Sequence, residues 1–251
     1  MPFGLTNALV TDISYDLLDF YVVVHLDDTI VFSKSEKENV IHVSTVLSIL
    51  RANSLSPKAS KFLFHVSSVE YLTYMVFSVG LKIYQEKVEQ ILNWPPPVNL
   101  KALQSFLGCA NFYHGLLKNY PKKISSLTSF LKKYSCFPFN EEALSQFQKL
   151  KEAFTTAPIL SHFKTSLPTI VETNATNYAF GAVLSQVSDS GYHLIALYSC
   201  NPIPAELNYN IHGKELIGIV WALKHWRAFL ISLSSPFVVL TNHSYLKYIT
   251  S

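Results

Sequence analysis

The sequence predicts a mixed α/β chain: a β-hairpin and a helical middle, then a terminal array of the order β-β-β-α-β. Three observations carry this. Two runs rich in β-branched and aromatic residues, Phe20–Val24 and Thr29–Phe32, flank the short step Leu26-Asp27-Asp28. Apolar residues then recur at helical spacing through much of the chain up to Phe154, punctuated by Pro95-Pro96-Pro97. The last third gives three strand-like runs, one long helical stripe and a final strand.

In chain order, the first two runs are close enough to form a hairpin with both aspartates at its tip. A helix is expected from Glu36 to Ala52, with Val40, Val43, Leu47 and Leu50 inward. Strand-like composition returns from Phe62 to Ile83, turning at Val79-Gly80. Glu86 to Trp94 reads as a helix stopped by Pro95, and Asn99 caps another carrying Leu103, Phe106, Leu107 and Ala110. Asn140 is placed to cap a helix with Glu141 and Glu142 in its first turn and Leu144, Phe147, Leu150 and Phe154 inward. Strands follow at Thr169–Thr173, Phe180–Gln186 and Leu194–Ser199. One long helix runs from about Asn210 to Ile231, with Leu216, Ile219, Val220, Leu223, Trp226 and Leu230 as its stripe. The last strand, Phe237–Thr241, returns by a helical crossover and is therefore expected to lie parallel to a neighbour.

Composition bounds the function. With 251 residues, 49% hydrophobic and 14% aromatic, the chain can bury a sizeable core and is not disordered. Only 15% of residues are charged, against roughly a quarter in ordinary soluble domains. No apolar run approaches the roughly 18 residues of a spanning helix, so no membrane partner is expected. No secretory signal opens the chain, and the three cysteines form no CxxC pair, so a reduced, intracellular setting is expected. The nine histidines show no ligand spacing with cysteine, which argues against zinc. A net charge of +3 neither demands nor excludes nucleic acid, and aspartates are few.

Asp27 and Asp28 are the first candidate site. Two Mg2+ ions about 3.5–4 Å apart, held by carboxylates, supply the charge that phosphoryl transfer needs. Alone, such a pair is more often a polar turn between strands. Its surroundings add to it. Met-Pro-Phe-Gly-Leu-Thr-Asn-Ala at residues 1–8, His25-Leu26-Asp27-Asp28 and Trp94-Pro95 are followed by Phe106-Leu107-Gly108 and Asn111-Phe112-Tyr113. Gly181–Gln186, Lys214-Glu215-Leu216 and Thr241-Asn242-His243 come later in the chain. In this collinear order they resemble the polymerase and ribonuclease H (RNase H) segments of gypsy-type long-terminal-repeat retrotransposons.

The resemblance implies a partial reverse transcriptase palm at 1–83, a helical thumb or connection at 84–165 and a truncated RNase H-like domain at 166–251. The corresponding fold class is an α+β palm remnant and helical connection followed by an incomplete RNase H-like β-β-β-α-β fold. Family segments before the Pro-Phe-Gly-Leu motif, with the first palm aspartate, lie upstream of Met1. Thr73 stands where the family turn has glycine, within Tyr71-Leu72-Thr73, which resembles the primer grip. In the RNase H-like segment the family carries aspartate at the positions of Asn174 and Asn242, while Glu215 is kept. An amide is neutral and a poorer magnesium ligand than a carboxylate. Mg2+ is the implied cofactor, with Asp27, Asp28 and Glu215 as its remaining ligands and only weak binding expected.

The implied partner is an RNA–DNA hybrid or a template-primer duplex. Lys118, Lys122, Lys123, Lys132 and Lys133, with tyrosines among them, offer phosphate contacts, although a solvated face is the commoner use of such lysines. The expected function is a retrotransposon-derived reverse transcriptase/RNase H segment that catalyses neither reaction. The alternatives are a non-catalytic module binding nucleic acid or protein, or a decayed reading frame.

Overall fold

Strands β1 (Val22–His25) and β2 (Asp28–Val31) pair antiparallel, in register from Val22 opposite Val31 to His25 opposite Asp28. The expected hairpin is therefore present, one or two residues displaced from its sequence-read bounds. The computed structural model describes residues 17–18, 20–25, 28–55, 58–131, 141–176 and 179–241, in two units divided between Tyr71 and Leu72.

In the first unit, helix α1 (Glu36–Ala52) has the bounds read from sequence. The Ser35 side chain accepts from the Glu38 amide, Glu36 and Glu38 occupy the first turn, and Arg51 sits in the last. Its inward face differs from expectation. Val46 is buried and Val40 is exposed, because His42 holds the helix by stacking on Tyr21 at 3.9 Å with its Nδ1 2.7 Å from Ser33 Oγ. Strand β3 (Ser68–Tyr71) completes the unit.

The second unit starts at a turn in which Leu72 and Thr73 both have positive φ, 49° and 67°. For a β-branched residue this conformation is strained, costing about 1–2 kcal/mol. The Tyr113 hydroxyl donates to Thr73 Oγ1 at 2.8 Å and offsets part of that cost. Strands β4 (Tyr74–Phe77) and β5 (Gly80–Ile83) follow, so the region read as turning once, at Val79-Gly80, turns twice. β5 also pairs antiparallel with the two-residue strand β6 (Leu160–Ser161). A Cβ at Gly80 would overlap the Leu160 carbonyl, so this pairing requires glycine.

Four helices pack beside these strands: α2 (Gln85–Leu92), α3 (Leu100–Phe112), α4 (Tyr120–Ser129) and α5 (Glu141–Thr155). Asn99 caps α3 through Oδ1 to the Ala102 amide, 2.9 Å, and the four inward residues read from sequence are all buried. Phe147, Leu150 and Phe154 of α5 are buried as expected; Leu144 is exposed, because Ala143 takes the inward position beside it. The expected cap Asn140 lies outside the described residues. Helix α4 has no apolar stripe to announce it: only Tyr120, Pro121 and Leu127 are buried. Trp94 meets Phe106 edge-on, and Phe106 meets Phe147 at 4.5 Å, which joins α2, α3 and α5 into one core.

The last third forms a four-stranded sheet. β7 (Thr169–Ala175), β8 (Phe180–Ser188) and β9 (Gly191–Cys200) are antiparallel, and β10 (Val238–Thr241) lies parallel to β7, giving the order β10-β7-β8-β9. The crossover is three helices, α6 (Pro204–Leu207), α7 (Ile211–His225) and α8 (Arg227–Ile231), where one was expected. The break falls at Trp226, which is buried beside Tyr198. On α7 the stripe is also shifted: Leu216 and Val220 are exposed, while Glu215, Gly218 and Ala222 face inward. Small residues there let the helix approach the sheet, with Gly218 in contact distance of Phe180 and Ala175.

The strain at Thr73 is open to measurement. In a Tyr113→Phe background, where the hydrogen bond is already gone, Thr73→Gly should raise unfolding stability by about 1–2 kcal/mol. In the native background the gain should be smaller, as read by urea unfolding.

Candidate functional site

Of the five candidate acid-site residues read from sequence, three are described: Asp28, Asn174 and Glu215. Asp28 begins β2 opposite His25 and is exposed. In the same unit Tyr71 has its phenol pushed above the usual range, first by burial and then by the Asp28 charge. Asp27 and Asn242 lie outside the described residues, as do Lys132 and Lys133.

Glu215 projects from the first turns of α7 and is 4% exposed. Its Oε1 accepts the Ala175 amide at 3.3 Å and its Oε2 accepts the Thr241 hydroxyl at 3.2 Å. One carboxylate thus ties the helix to the ends of β7 and β10. Asn174 precedes Ala175 on β7 and is exposed, whereas Thr173 and Ala175 are buried, as strand alternation requires. No hydrogen bond joins Asn174 to Glu215.

Asn174 opens into a cleft of about 350 Å³ between the Leu117–Asn119 segment and the sheet. Lys118, Asn119, Glu172, Tyr198 and Thr241 also line it. Burial, and then a hydrogen bond with the Cys200 thiol, raises the Tyr198 phenol well above its usual range, so it stays neutral at physiological pH. Asn119 has φ 58°, a left-handed conformation asparagine tolerates, and its side chain makes no capping bond to α4.

The described residues do not bring together the carboxylates of a two-ion centre. Such a centre surrounds both ions with carboxylates. Here both Glu215 oxygens already accept hydrogen bonds, Asn174 carries no charge, and no three acidic, histidine or cysteine groups converge among the described residues.

Two polar anchors had signals in the sequence that pattern reading passed over. Glu206 is buried, accepting from the Ile203 amide and from Trp221 Nε1, 3.0 Å. Gln186 is fully buried and bonds both backbone groups of Lys164 and the Thr169 hydroxyl. Each is a polar residue in or beside an apolar run, where a buried position must satisfy its hydrogen bonds.

A β-β-β-α-β sheet with a helical crossover, preceded by a helical segment, is the architecture expected of an RNase H-like domain. Residues 139–239 match the RNase H-like domain found in reverse transcriptase. The transposon Tf2-3 and Tf2-7 polyproteins of Schizosaccharomyces pombe (strain 972 / ATCC 24843) are each 33% identical to the chain over 250 residues, covering 97% of it and 19% of their own length. The chain belongs to the reverse transcriptase and RNase H-like region of gypsy-type retrotransposon polyproteins, and spans about a fifth of the length of the curated relatives it matches.

Among solved structures, a foamy viral protease-reverse transcriptase in complex with double-stranded DNA matches with TM-score 0.82 at 22% identity, over 99% of this chain and 44% of that one. A second, in complex with an RNA/DNA hybrid, matches with TM-score 0.78 at 22% identity, over 96% of this chain and 32% of that one. At this identity the likeness is one of fold.

The tie made by Glu215 predicts a pattern of stability. Glu215→Ala leaves the Ala175 amide without its acceptor and should cost about 1–3 kcal/mol in urea unfolding. Glu215→Gln keeps an accepting oxygen and should cost less. Both losses should be equal in EDTA and in Mg2+.

Proposed function

We propose that this region binds nucleic-acid duplex, an RNA–DNA hybrid in particular, and turns over neither polymerase nor nuclease substrates. One observation carries the binding half: the fold is shared with reverse transcriptases whose structures contain double-stranded DNA or an RNA/DNA hybrid. Lys118, Lys122 and Lys123 support it, since none forms an ion pair among the described residues and their charge is available to phosphates. The absence of turnover follows from the chemistry of the side chains. Asn174 cannot supply the charge that the family's aspartate would, and Glu215 is already committed to an amide and a hydroxyl.

Fluorescence anisotropy with a labelled hybrid tests the binding. Three lysine–phosphate contacts should make affinity fall roughly 40-fold between about 50 and 200 mM salt. No binding at low salt would overturn the reading. Primer-extension and hybrid-cleavage assays in Mg2+ or Mn2+ should show no product; turnover abolished by Asp28→Asn or Glu215→Gln would refute the non-catalytic half.

A further inference from the structure

We infer that the cleft between Leu117–Asn119 and the sheet is a phosphodiester-binding site that works without a divalent ion. The inference rests on the proposed binding of nucleic acid and assigns it a location. Three residues whose side chains carry hydrogen-bond donors line this cleft: Lys118 with its ammonium, and Asn119 and Asn174 with their amides. None of the three spends its donors on a hydrogen bond or ion pair within the described protein, although Asn119 and Lys118 stand at the start of a helix and Asn174 within a sheet. A volume of about 350 Å³ suits one backbone phosphate with its flanking sugars.

The sign of the charge decides what the cleft can hold. A carboxylate at position 174 would repel a phosphate unless a cation stood between them. The amide removes that repulsion and adds two N–H donors. Among the described residues, Glu172 is the single carboxylate in the lining and Lys118 the single cation, and the two form no salt bridge. The lysine charge is therefore left for a ligand, while Glu172 opposes the same ligand. The same donors would serve either strand of a hybrid, so the site reads the backbone and not the base sequence.

The test measures binding of a labelled RNA–DNA hybrid to the full chain in EDTA at low salt, with circular dichroism as the control for folding. Lys118, Glu172 and Asn174 are all exposed, so their substitution does not disturb the core. Asn174→Asp and Lys118→Met should each weaken binding about two- to fivefold, and Glu172→Gln should tighten it by a similar factor. Adding Mg2+ should not strengthen binding to the native chain but should recover part of the loss in Asn174→Asp. Binding that depends on Mg2+, or that ignores all three substitutions, overturns this site and leaves the general binding function standing. No binding by the native chain overturns both.

Discussion

A carboxylate taken out of water must find donors, and that requirement at Glu215 organises the terminal sheet. Left unpaired in the interior it would cost several kcal/mol. The Ala175 amide and the Thr241 hydroxyl meet the need, and in doing so they fix where α7 lies relative to β7 and β10. β10 is a short parallel edge strand, paired on one side alone, with Val238 and Leu240 exposed. Parallel pairing is slightly weaker per residue than antiparallel, so a four-residue edge gains from a side-chain tie. Gly218 and Ala222 depend on the same placement, because their small size matters only if the helix is held close to the strands.

The same economy recurs at other buried polar groups of this charge-poor chain. Glu206 fastens α6 to α7 through Trp221, and Gln186 fastens the chain before β7 to β8. Lys151 donates to the Trp94 carbonyl and lies 5.2 Å from the Phe147 ring centroid, with its ammonium pushed below the usual range by burial. Each of these joins segments that apolar contact alone would leave free to slide. Dispersion and the hydrophobic effect are non-directional, whereas a buried hydrogen bond accepts one geometry. Few polar groups are buried here, and those few set the registration of the helices.

How far the sequence discloses all this varies with the kind of force at work. Helix α3 was legible to the residue, since Asn99, Leu103, Phe106, Leu107 and Ala110 combine a cap with an uninterrupted apolar face. The parallel return of β10 followed from connection length and handedness. Helix α7 was legible as a helix but not in its orientation. Two of its expected inward residues, Leu216 and Val220, point to solvent, while glycine, alanine and glutamate face the sheet. A hydrophobicity count weights size, and close approach favours smallness, so periodicity alone misplaces part of the buried face. Helix α4 left no apolar pattern, and the cleft beside it was not legible as a unit: Lys118 and Asn174 stood out separately in the sequence, Asn119 did not, and only the fold brings the three to one place.

An asparagine side chain has the shape of an aspartate without its charge, and comparing the two at position 174 separates properties that a metal centre couples. The side-chain volume and the strand alternation at position 174 are unaffected, so the sheet has no reason to change. The electrostatic field in front of it does change: a group that draws cations becomes a neutral donor and acceptor. Glu215 does not line the cleft: its oxygens face the Ala175 amide and the Thr241 hydroxyl. Fold and metal chemistry are thus separable here. The buried carboxylate of Glu215 is one whose removal would cost the fold, whereas Asn174 presents a neutral amide at the cleft from the exposed face of its strand.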